Sequence, residues 1–151
     1  MELGEIFQNR VLVTMMTAWL LAQVIKIPLE YLYTHRWNWA LLLSVGGMPS
    51  SHSSLLTSAT VATGLHYGFN HPLFAIGVAI TMVVTYDAAG VRRQAGIHAQ
   101  RINVIFEELL RGHMVDQNEL REVLGHTPLE VTGGVLFGIL VATLIWLIWP
   151  L

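Results

Sequence analysis

The sequence predicts an all-α fold: a polytopic transmembrane helical bundle of about four spans, with short interfacial or re-entrant helices between them. Two observations carry this. Hydrophobic residues make up 54% of the chain, while Asp, Glu, Lys and Arg together make up 12%, against about 25% in a typical soluble protein. The apolar residues are also gathered into blocks, and helices and closed barrels are the only structures that satisfy their backbone inside a bilayer. A chain of this length is read as a single domain, 1–151. Cysteine is absent, so disulfide and thiolate chemistry are excluded. The net charge of −2 argues against a general nucleic-acid binder. The opening MELGEIFQNR lacks the basic stretch of a cleaved signal, so the first apolar block is expected to remain as a span.

That block, 11–25, reaches the length of a span, about 20 residues, when it runs from Ile6 to Leu32. Lys26 and Glu30 fall in its last turns. They are spaced to pair along one helix face, or Lys26 can snorkel to the interface. Residues 33–48 are too short to span, and Trp37 and Trp39 resemble an interfacial belt. A short re-entrant or surface helix is expected there.

It leads into Gly-Gly-Met-Pro-Ser-Ser-His-Ser-Ser at 46–54, around which the chain is organised. Pro49 turns Met48 away from helical geometry and is itself suited to the first position of a helix. Ser50 or Ser51 can cap that helix, and the N–H groups of its first turn form an anion site. Gly47 and Pro49 are supporting residues of this turn. The following helix, 50–66, is rich in small residues and is expected to lie centrally in the bundle.

HYGFNHP (66–72) is a turn, and 73–86 is a clear apolar block ending at Asp87. Residues 92–111 read as an amphipathic helix with Ile97, Ile102, Ile105, Phe106 and Leu109 on one side. A short surface helix is expected at 115–125, with capping-box spacing between Asp116 and Glu119. The last apolar block, 135–150, extends a helix begun near Pro128. The expected spans are therefore 8–32, 50–66, 72–87 and 129–149, the second and third short. Histidines 35, 66, 71 and 113 are expected to be interfacial or solvated, and Trp146 and Trp149 to be belt residues.

With these spans, 26–50 and 87–128 share one side of the membrane. Lys26, Arg36, Arg92, Arg93, Arg101, Arg111 and Arg121 lie on that side and Arg10 on the other. The positive-inside rule makes the Arg-rich face cytoplasmic, in the plasma membrane if the source is bacterial. The strongly polar motifs fall on the same face. Arginines suited to phosphate oxygens, a lysine, two histidines able to serve as nucleophile and acid and a helix N-terminus describe a metal-free phosphoryl-transfer site.

At these motifs the sequence resembles the superfamily of type-2 phosphatidic acid phosphatases and vanadium haloperoxidases, in its divergent branch of small bacterial and plant membrane proteins. Pro49-Ser50-Ser51-His52 matches the superfamily's Pro-Ser-Gly-His with serine for glycine. Gly125-His126-Thr127-Pro128-Leu129-Glu130-Val131-Thr132-Gly133-Gly134 resembles the second half of its third motif, and His126-x3-Glu130 keeps the His-x3-Asp spacing. The arginine half of that motif is Arg92 or Arg93, about thirty residues upstream instead of six. A rival alignment makes His98 the nucleophile, with Ile102 at the acid position. The first motif is represented by Lys26 and Arg36, at altered spacing.

The resemblance implies these roles. His126 attacks phosphorus to form a phosphohistidine, Glu130 orients its imidazole, and His52 protonates the leaving alkoxide. Lys26, Ser50, Ser51, Arg92, Arg93 and nearby backbone N–H groups hold the phosphoryl oxygens. Asp87 is structural, pairing with Arg92 or Arg93. No cofactor or metal is implied, and vanadate would bind as a phosphate mimic. The implied activity is hydrolysis of a phosphomonoester or diphosphate on a lipid, with phosphatidate, phosphatidylglycerol phosphate or a polyprenyl diphosphate as substrate. The alternative is a non-catalytic lipid-phosphate binder, or a transport or assembly protein retaining the anion site. A homodimer is compatible with the small residues of 50–66.

Overall fold

The computed structural model describes residues 4–43, 46–110 and 126–150, and the side chains of Leu43, 91–93, Ala95 and 107–110 lie outside that description. Seven helical elements follow in order: α1 (Gly4–Gln8), α2 (Arg10–Thr34), a 3₁₀ turn (Trp39–Leu43), α3 (Ser51–Tyr67), α4 (Pro72–Ala89), α5 (Val91–Leu110) and α6 (Pro128–Ile148). There is no strand among the described residues. The surface helix expected at 115–125, with Asp116 and Glu119, lies outside them.

Three helices, α2, α4 and α6, are long and apolar enough to cross a membrane. The fourth expected span, α3, has 17 residues, about 25 Å of helix, less than a typical hydrocarbon core of about 30 Å. Its shortness and polarity are explained by where it sits, packed against α2, α4 and α6 at the centre of the bundle. The polarity of the fold is inverted relative to a soluble protein. The largest fully buried side chains are Lys26, Thr14, Ser50, Ser51, Ser53, Ser54 and Ser58, while Leu20, Leu73, Ile80, Val83, Leu136 and Leu140 point outward. Against hydrocarbon, apolar burial drives nothing, and close approach between small residues holds helices together.

The α3–α6 contact shows how close that approach is. A Cβ on Gly134 would lie 2.5 Å from the Ser50 carbonyl oxygen, and one on Gly138 would lie 2.6 Å from that of Ser54. The Ser54 hydroxyl donates to the Gly134 carbonyl oxygen at 3.0 Å. These contacts run parallel, so the N-termini of α3 and α6 share one end. On the other side of α3, Thr60 packs on Gly77 and bonds Thr81, and Gly64 packs on Phe74, an antiparallel pairing with α4. The Arg10 guanidinium lies 5.3 Å from the Trp149 ring centroid, so α2 runs antiparallel to α6.

Local signals account for the helix ends. Asn9 caps α2 through Leu12 N–H, and His35 ends it in the left-handed region at φ 55. Pro28, inside α2, takes away the donor that Val24 carbonyl would use. Ser50 caps α3, so Pro49 precedes the cap instead of opening the helix, and the Met48–Pro49 bond is cis. His71 caps α4 through Leu73 N–H, with Pro72 in its first turn. Gly90 separates α4 from α5, and α5 touches α4 alone among the described elements. Trp37 and Trp39 are exposed as an interfacial belt requires, in a stack with Tyr31 at 4.6 and 6.1 Å.

Candidate functional site

The site is assembled at the end of the bundle where α3 and α6 begin and α2 approaches its close. Thr127 caps α6, and its hydroxyl accepts from Glu130 N–H at 3.3 Å. The Glu130 carboxylate returns the bond: Oε2 accepts from Thr127 N–H at 3.3 Å. This is a capping box, which satisfies two first-turn donors at once. The same Oε2 lies 2.9 Å from Nδ1 of His126. His126 is 4% exposed, and its other ring nitrogen, Nε2, is buried without a partner.

The serine turn is tied to this element through the backbone. Ser50 N–H donates to the Glu130 carbonyl oxygen at 3.0 Å. The Ser50 hydroxyl accepts from Ser53 N–H and from the Ser53 hydroxyl. The resemblance implies Ser50 as a phosphate ligand, a role left to its O–H donor. The structure spends its N–H on α6 and its oxygen on capping α3. Ser51, 1% exposed, begins α3 beside it, and His52 follows with its side chain exposed.

Lys26 completes the cluster from α2. It is 1% exposed, its stem passes beneath Gly47, and its Nζ is buried without a hydrogen-bond partner. It does not pair with Glu30 and does not snorkel. Its electrostatic partner is Glu130, across the bundle. Gly47 lies at φ +90, and a Cβ there would sit 3.6 Å from Lys26 Cδ. One turn before Lys26, Gln23 donates through Nε2 to the Leu42 carbonyl oxygen at 3.1 Å, which anchors the segment leading into the glycine–serine turn.

Lys26, Gly47, Ser50, His126 and Glu130 are thus brought together. The chain returns to the same end at Asp87, which is half-buried near the close of α4. Asp87 lines, with Met82, Tyr86, Pro128, Val131 and Thr132, an open cleft of about 760 Å³ between α4 and α6. A smaller recess of about 200 Å³, sharing Met82, continues it toward Phe74, Val78 and Ile139 with Thr57 and Val61 of α3 as its floor. Arg92 and Arg93 begin α5, and their side chains, with any pairing to Asp87, lie outside the described residues. His98 sits exposed on α5, the helix that touches neither α2, α3 nor α6 among the described elements.

Two contributors were missed in the sequence. Thr127-x-x-Glu130 is a capping box with the preferred hydroxyl residue, so its signal was present. Gln23 carries no signal of its own, since only the fold brings Leu42 to it.

The sequence model of the family described as the Divergent PAP2 family matches residues 7–141. A protein of Bacillus subtilis (strain 168), described as the uncharacterized membrane protein YuiD, is 36% identical over 147 residues, covering 90% of this chain and 93% of its own. No solved structure matches.

Proposed function

The chain belongs to the divergent PAP2 family and is a PAP2-related membrane protein; on that premise we propose that it hydrolyses a phosphomonoester or diphosphate on a lipid. The observation that carries the reading is the His126–Glu130 pair, with one imidazole nitrogen fixed by a carboxylate at 2.9 Å and the other left without a partner. A histidine so oriented is a positioned nucleophile. The carboxylate holds the tautomer and stabilises the charge that develops on the ring, as in other triads.

In this reading His126 Nε2 attacks phosphorus as the bond from phosphorus to the leaving oxygen breaks. His52, exposed at the same end of the bundle, gives the leaving oxygen its proton. Water then attacks the phosphohistidine, the phosphorus–nitrogen bond breaks, and the proton lost by water returns to His52. Lys26 meets the phosphoryl charge, joined by Ser51 and by Arg92 and Arg93. The chemistry uses side chains alone, with no cofactor. A lipid is favoured over a soluble ester because the cleft beginning at Pro128 is apolar and opens between two span-length helices. The distribution of Lys26, Arg36, Arg92, Arg93 and Arg101 at this end, against Arg10 at the other, favours a cytoplasmic site.

His98 is the weaker nucleophile candidate, because α5 carries it apart from Lys26 and Ser50. One observation favours a second reading. His126 is 4% exposed, which suits a phosphate-binding protein that never turns over.

The test is phosphate release by purified protein from phosphatidate and from a polyprenyl diphosphate, with EDTA present, beside His126→Ala and His98→Ala. Release lost only in His126→Ala is expected. Loss only in His98→Ala overturns the assignment of the nucleophile. No release from either substrate, with vanadate still bound, gives the second reading.

A further inference from the structure

Helices α4 and α6 are each drawn onto α3 and only lightly onto each other. Gly77 of α4 meets Thr60, while Gly134 and Gly138 of α6 meet Ser50 and Ser54. Small residues let both helices close on the same partner, which leaves a gap between the two with α3 at its back. The mouth of the gap is the cleft of about 760 Å³ that Asp87, Pro128 and Val131 help to line. Its inner end is the recess of about 200 Å³ that reaches Phe74 and Ile139. Met82 lines both.

Depth, width and position say what fits. From Pro128 to Ile139 the gap follows about 16 Å of α6, at about 1.5 Å per residue. Half of a hydrocarbon core of about 30 Å is about 15 Å, so the gap is as deep as one leaflet. The recess is smaller than the roughly 300–1,000 Å³ of a pocket for a whole small molecule, so it takes a stretch of one chain. Phe74 closes it, with its ring edge-on to Phe69 at 5.1 Å and packed on Gly64. Pro128 and Val131 bracket Glu130 in the first turn of α6, so the mouth opens beside the turn that holds His126.

A gap lined by apolar side chains and left empty would forfeit dispersion contacts, so hydrocarbon fills it. Lipid chains are as apolar as its walls, and burial alone prefers no chain over another. Selection comes from what the headgroup grips and what the walls exclude. The walls of the recess are stiff, since Thr57, Thr60, Val61, Val78 and Thr81 are all β-branched. Met82 is the adaptable member, unbranched and largely exposed.

We propose that Met82 is a specificity-determining residue: one hydrocarbon chain of the lipid phosphate lies along the cleft, passes Met82 and ends in the recess against Phe74. This rests on the reading that the phosphate is held beside His126. A chain stopped at Met82 holds its phosphate back from His126.

The probe is hexadecylphosphonate with a diazirine at its chain end, added to full-length protein in phosphatidylcholine nanodiscs. Its carbon–phosphorus bond survives hydrolysis of esters. Light fixes the chain end to its neighbours, and peptide mass spectrometry locates the adducts. Hexadecyl adducts are expected at Phe74, Val78 and Val135, and those of octylphosphonate, labelled in the same way, at Val83 and Tyr86. Hexadecanol with the same label lacks the phosphonate charge and should label the recess about tenfold less, the effect of losing charge-assisted bonds. Met82→Trp should lower the recess adducts of hexadecylphosphonate about tenfold, as overpacking a filled site does. Val78→Phe fills the recess directly and should do the same, which decides the matter should Met82→Trp lose its helical circular dichroism. Ile80→Trp, at an exposed position of α4, should leave the pattern unchanged. Recess adducts undiminished in both Met82→Trp and Val78→Phe overturn the proposal. Equal recess labelling by hexadecanol also overturns it, because any surrounding chain then fills the gap. Labelling does not depend on turnover. Phosphate release from hexadecyl phosphate, with adducts confined to outward residues such as Leu73 and Leu136, strikes the chain seat and leaves the hydrolysis standing. Recess adducts without release uphold the seat and strike the hydrolysis.

Discussion

Ser50 N–H donates to the carbonyl oxygen of Glu130 at 3.0 Å. This bond locks the start of α3 to the first turn of α6. The cap of one helix and the carboxylate that holds His126 therefore move as a unit. Such a frame would hold the proposed nucleophile in place, where a misplacement of about 1 Å is enough to cost two orders of magnitude in rate.

Glu130→Gln separates orientation from fold. The glutamine oxygen can still accept from Thr127 N–H, so the cap survives, while the negative charge behind His126 is removed. Thermal stability should fall somewhat, because the buried Lys26 loses the negative charge across the bundle while the cap itself holds. Phosphate release should fall about 10²- to 10⁴-fold, by analogy with loss of the carboxylate in other triads. A kinetic assay beside a melting curve checks both, and full activity in this variant would sink the role given to Glu130.

Thr127→Ala removes the hydroxyl that accepts from Glu130 N–H. Loss of such a cap costs about 1 kcal/mol, so the melting temperature should drop. Turnover should drop as well, because the returning bond from Thr127 N–H to Glu130 helps fix the carboxylate. A lowered melting temperature with unchanged kcat would show that the box serves stability alone.

Gly134→Ala tests the α3–α6 contact. Its new methyl would lie 2.5 Å from the Ser50 carbonyl oxygen, a backbone atom that cannot step aside by rotation. Overpacking of this kind costs about 1–3 kcal/mol. It should also strain the Ser50–Glu130 bond, so stability and phosphate affinity should fall together. Gly4→Ala, where a Cβ meets nothing within 4 Å, is the control expected to change neither.

Lys26→Met has opposite consequences for fold and function. The wild-type Nζ is buried and lacks a hydrogen-bond partner, and an ionisable group within a span costs about 2.5–3.5 kcal/mol on insertion scales. Methionine of similar length removes that cost, so the melting temperature should hold or rise. Phosphate and vanadate binding should weaken at least tenfold in a titration. A variant that is destabilised and still binds vanadate normally would make Lys26 a structural residue.

Much of the architecture is written locally. Hydropathy blocks mark α2, α4 and α6, the small-residue run marks α3 as central, and Ser50 reads as a cap. In each case the cause lies within a few residues, where backbone bonding and side-chain polarity act directly. His126-x3-Glu130 was legible through the family resemblance, and the capping box of Thr127 and Glu130 is what brings the two side chains within reach.

The pairings between helices were decided elsewhere. Spacing along α2 offered Glu30 to Lys26, but the bundle turns Lys26 inward to Glu130, more than a hundred positions on. His66 was expected to be interfacial or solvated, and the fold buries it near the end of α3. The Ser50 N–H, read as part of an anion site, is taken by α6. The sequence by itself determined that the chain is a helical membrane protein and which residue types gather at one face. Tertiary structure decided which polar groups satisfy one another and which are left open. That choice depends on how closely Gly134 and Gly138 let two helices approach, a distance no local pattern encodes.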